Sequence, residues 1–141
     1  MTITNKMKFL LTKESPEAGE IWKSSDNKAT YVLLEKFGRQ DCFVAVTCDE
    51  EFTLHFVHDI IMPPAAFVSE KNRMFRLWNR RLVKSENLKR CVDRVDQKFL
   101  DEINQSGEFY QERVGKIFPP ADVQEYRNFF LEKFNSTSER Y

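Results

Sequence analysis

Four short β-type runs follow one another between residues 20 and 57, and the turns between them are too short to hold a helix. Parallel neighbours need a crossover of a dozen or more residues, so adjacent runs must pair antiparallel. The runs are residues 20–23, 30–37, 42–47 and 52–57, rich in β-branched and aromatic residues. In the last, Phe52, Leu54 and Phe56 alternate with Thr53 and His55, the period of a half-buried strand. Residues 58–62 run into Pro63-Pro64, which cannot continue an interior ladder. Residues 74–78 read as a further strand, with 79–84 as a turn or its extension.

From Asp96 the period changes. Asp96 can cap a helix with Phe99, Leu100 and Ile103 on one apolar face, which Gly107 ends or weakens. After Pro119-Pro120, residues 121–134 place Val123, Tyr126, Phe129, Phe130 and Phe134 at helical spacing. The first twelve residues read as a mobile arm or an added edge strand, and residues 135–141 as a frayed polar tail. The expected architecture is α+β and mainly β. One domain spans 1–141, with a curled barrel of about five strands over 17–95 and a C-terminal helical extension over 96–141.

Composition narrows the chemistry. Three cysteines, Cys42, Cys48 and Cys91, do not make a disulfide framework. Cys42 and Cys48, at opposite ends of one strand, would lie about 20 Å apart. His55 and His58 should point to opposite faces, and no Cys-x-x-Cys or His-Glu-x-x-His occurs, so neither metal nor cofactor is expected. Four scattered glycines give no phosphate loop. The apolar patch at residues 9–11 is too short for a signal-peptide core, so the expected location is cytoplasmic, away from membranes.

The 22 basic and 22 acidic residues cancel overall but are unevenly placed. Between Lys71 and Lys98, ten bases face three acids, a local charge of +7; residues 31–70 hold two bases and seven acids, −5. Phe75 and Trp78 are interleaved with the cations. Arginines grip phosphates bidentately and exposed rings stack on unpaired bases, so Arg73, Arg76, Arg80, Arg81, Lys84, Arg90 and Arg94 are candidates for contacting RNA or another polyanion. The opposing reading makes the rings core and pairs the arginines with acids of residues 31–70 in surface ion pairs, which contribute little. A different class of function is also open: a protein-interaction or oligomerisation module, meeting a partner or second copy through Phe129, Phe130 and Phe134.

The stretch Gly19-Glu20-Ile21-Trp22 opening the first strand, and the apolar third strand ending at Thr47, resemble the PemK/MazF-like family of toxin endoribonucleases from toxin–antitoxin systems. Residues 80–84 through Arg94-Val95, ahead of a helix, are similar to its late strands and C-terminal helix, for a coverage of roughly 17–105. The resemblance implies an SH3-like barrel and an RNA ligand. It also implies a catalytic role for Thr47, with Lys28 as the nearest source of positive charge. The family's toxins carry an arginine, commonly followed by proline, entering the second strand. Asn27-Lys28-Ala29-Thr30-Tyr31 has neither, which points to binding without cleavage.

Overall fold

A computed structural model describes residues 5–37, 41–49, 59–109 and 139–140. The expected strand 52–57, with His55 and His58, and the expected helix 121–134, with Phe129, Phe130 and Phe134, lie outside these residues. The described elements are α1 (Asn5–Leu11), β1 (Glu20–Ser24), β2 (Thr30–Lys36), β3 (Cys42–Asp49), β4 (Asp59–Met62), β5 (Arg73–Lys84), β6 (Leu88–Arg94), α2 (Gln97–Phe109) and β7 (Glu139–Arg140). Every strand pair is antiparallel, in the order β4-β5-β3-β2-β1-β6, with β7 also on β5.

The antiparallel, mainly β expectation holds, but the sheet is open rather than a closed barrel. Its two ends, β4 and β6, do not pair. A single bridge, Phe67 to Val95, with Val68 N–H donating to the Arg94 carbonyl at 3.1 Å, brings the segment after β4 alongside the far end of β6. Helical structure is also not confined to the C-terminus. Residues 5–11 form α1 instead of an arm or strand, and residues 139–140 of the tail form β7. The chain breaker Pro63 sits just after β4, which is an end strand, where the missing ladder donor costs nothing.

Both faces of the sheet are apolar, because strand residues alternate between two cores. Ile21, Val32, Leu34, Val46, Phe75 and Leu77 join Leu100 and Ile103 of α2 in one. Trp22, Tyr31, Leu33, Phe43, Ala45, Val83 and Cys91 join Leu10 of α1 in the other. Thus α2 lies on one face and α1 on the other. Burying a side chain such as Ile21 or Leu100 stabilises the fold by about 1.5–3 kcal/mol. The Asp96 carboxylate accepts the Lys98 N–H at 3.0 Å and caps α2, which continues past Gly107 to Phe109.

Gly19 holds φ at +89°, a region costly for other residues. There its N–H donates to the Leu33 carbonyl and its own carbonyl accepts from Val95, each at 2.7 Å. A Cβ would stand 3.3 Å from Leu100, so this glycine lets α2 approach β1 closely.

The register of the β3–β5 pair breaks once, in its middle. Val46 pairs with Arg80 but Thr47 pairs with Arg76, so Leu77, Trp78 and Asn79 intervene on β5. An odd insertion reverses the alternation of a strand. Phe75 and Leu77 accordingly face the α2 core, whereas Val83 faces the α1 core.

Candidate anion-binding surface

The insertion in β5 places its arginines in different surroundings. On the α1 face, one row crosses six strands in register: Cys91, Trp22, Tyr31, Thr47, Arg76 and Asp59. All six are buried. The row is apolar at β6 and ionic at β4. Arg76, 1% exposed, donates through Nε to Asp49 and through Nη1 to Asp59, each at 2.7 Å. Both carboxylates belong to the acidic stretch 31–70, so this arginine is held by the acids that the charge pattern set against it. Thr47, fully buried, accepts a hydrogen bond from Asn79 Nδ2 at 3.1 Å.

Arg73 lies on the α2 face and is also buried. Its Nε meets Asp93 Oδ2 at 2.8 Å, and its guanidinium stands 5.9 Å from the centre of the Phe67 ring. Asp93 is otherwise engaged by the Ser69 hydroxyl and by the N–H groups of Ser69 and Arg94, each N–H at 2.9 Å. Burial of these ions is tolerated because each carboxylate is paired and hydrogen-bonded at once.

The remaining candidates divide by exposure. Arg81 is buried opposite Ala45, and Arg80 is half-buried opposite Val46. Lys84, Arg90 and Arg94 are exposed, as are Lys89 and Lys98. Phe75 is fully buried and offers no stacking face. Lys28 is exposed in the β1–β2 turn, whereas Thr47 is enclosed within the sheet, so these two do not share one environment.

Lys23 is the residue that sequence reasoning passed over. It lies in a stretch of nearly neutral charge, yet β1–β6 pairing makes it the cross-strand partner of Arg90. On its other side Lys23 pairs with Thr30. Only the strand order could have exposed this, because the two cations come from distant parts of the chain. Arg94, next along β6, is opposite Glu20, but Glu20 is already taken. Its Oε1 accepts from the Glu17 N–H at 2.8 Å and the Trp22 indole at 3.1 Å, and its Oε2 lies 2.5 Å from Lys13 Nζ.

The thiols are not poised for chemistry at the buried positions. Burial pushes Cys48 and Cys91 up to about 12. All three cysteines are free. Among the described residues, no group of three or more His, Cys, Asp or Glu could hold a metal ion. Among them, too, no helix is long and apolar enough to cross a membrane. The sequence matches no family model and no curated protein.

Proposed function

We propose that this chain is a binding domain for a polyanion, RNA first among them, and that its contact surface is made by the exposed strand cations of the basic segment: Lys84, Lys89, Arg90 and Arg94. One observation carries the reading. Arg73 and Arg76 are consumed by buried carboxylates, whereas these four cations are exposed and form no ion pair among the described residues. Charge not taken up in an ion pair among the described residues is available to phosphates. The resemblance to the PemK/MazF-like family favours RNA over other polyanions. Cleavage is not part of the reading, since the Thr47 hydroxyl is buried against Asn79.

The test is fluorescence anisotropy of a labelled short RNA across a salt series. Four phosphate contacts on a single strand give a slope of log affinity against log salt of about −2.8. Affinity should therefore fall roughly fifty-fold between 50 and 200 mM salt. Binding that ignores salt, or no binding at 50 mM, contradicts the proposal.

A further inference from the structure

The pairing of Lys23 with Arg90 is unfavourable as folding chemistry. Like charges directly opposite on neighbouring strands are destabilising, and neither residue meets an acid among the described residues. Cations on an end strand have an ordinary explanation, since they discourage edge-to-edge aggregation. That accounts for Lys89 and Arg90 on β6. It does not account for Lys23, because β1 is an interior strand paired on both sides.

Register partners present their side chains on one face. Arg90, Lys23 and Thr30 therefore form a row across β6, β1 and β2, on the face that carries Ile21 and α2. At about 4.8 Å between strands the row is roughly 10 Å long. Arg90 is exposed; Lys23 and Thr30 are half-buried. It offers a planar guanidinium fork, an ammonium and a hydroxyl, all able to donate. Of the acids close in sequence, Glu86 is exposed in the turn before β6 and forms no ion pair with either cation, and two others are committed elsewhere. Asp26 accepts from the Ser24 hydroxyl at 2.5 Å and the Lys28 N–H at 3.0 Å, and Asp93 is held by Arg73 and Ser69.

We infer that the Arg90–Lys23–Thr30 row is a phosphate seat, in which a bound phosphate group supplies the negative charge that the described residues do not place beside it. Taking that group to be a phosphodiester of RNA rests on the proposed function above. Arg90 grips two oxygens in a fork, Lys23 neutralises from the neighbouring strand, and the Thr30 hydroxyl donates from the third. The row lies on paired strands, between the two register shifts of the β1–β6 pair at Ile21/Trp22 and Lys23/Ser24.

The experiment titrates the full-length protein with a short oligouridine and, separately, with inorganic phosphate, following backbone amide shifts by NMR. The expected result is shifts at Lys23, Thr30 and Arg90 with both ligands. A Lys23→Gln/Arg90→Gln variant should lose at least tenfold in RNA affinity at low salt, with a salt slope shallower by about 1.4. It should also unfold at a higher temperature than the parent, as the repulsion is gone. RNA binding undiminished in that variant, with shifts centred elsewhere, overturns the seat and leaves the proposed function standing. Phosphate shifting the row without any RNA binding overturns the RNA reading and leaves the seat. No shift with either ligand overturns both.

Discussion

Arg76 and Asp59 meet at 2.7 Å across the β4–β5 pair, both buried, with Asp49 completing the contact from β3. One side chain thus ties three strands together. Its removal leaves carboxylates buried without their cation. Arg76→Gln should destabilise the fold by about 3–5 kcal/mol, read as a lower urea midpoint. Arg94→Gln, on the surface, should stay within about 0.5 kcal/mol of the parent. Equal losses from the two changes would contradict the division between structural and exposed arginines.

The Thr47–Asn79 hydrogen bond sits beside the three-residue insertion in β5. Thr47→Val removes the acceptor and leaves a buried amide donor unmatched, at a cost of about 1–3 kcal/mol. Adding Asn79→Leu removes that donor as well. The double variant should therefore be more stable than the sum of the two single losses implies, which a double-mutant cycle measures.

How far these features could be read in advance depends on whether their causes are local. Strands β2 and β3 and the α2 start were legible, because β-branched runs, flanking turns and the Asp96 cap act over a few residues. Strand β6 was not. Its Leu88 and Cys91 are buried but Lys89 and Arg90 between them are exposed, and register shifts opposite Ile21–Trp22 and Lys23–Ser24 erase any alternation. Burial of Arg73 and Arg76 was equally hidden, since an arginine enters a core only where distant carboxylates await it. Open closure of the sheet also escaped the strand pattern, which is the same for a curled sheet and a barrel. The Lys23–Arg90 pair needs the strand order, which no local window contains.

Cap strength is testable on its own. Asp96→Ala removes the acceptor for the Lys98 N–H and should cost about 1 kcal/mol. Asp96→Asn, which keeps an acceptor, should recover most of it. Thermal unfolding of the three proteins checks the order.

Thiol chemistry gives a pH prediction. The Cys48 thiol is raised by burial from an ordinary value of 9.0 to about 12. Its unfolded form ionises first, so the contribution to stability is complete below pH 9 and is lost as pH rises towards 12. Cys91 acts in the same direction. Unfolding midpoints should accordingly fall above pH 9, and Cys48→Ala/Cys91→Ala should flatten that fall. In the native protein at pH 8, Cys42, the half-buried thiol, should be alkylated before the two buried ones.

The most direct test of the account compares RNA binding by the parent and by a Lys89→Gln/Arg90→Gln/Arg94→Gln variant across a salt series. The account predicts an unfolding midpoint no lower than the parent's, since Arg90→Gln also relieves the repulsion with Lys23, and a slope shallower by about 2.1, because three exposed phosphate contacts are gone while the buried arginines stay paired. A variant that binds RNA with the parent's affinity and slope would contradict it.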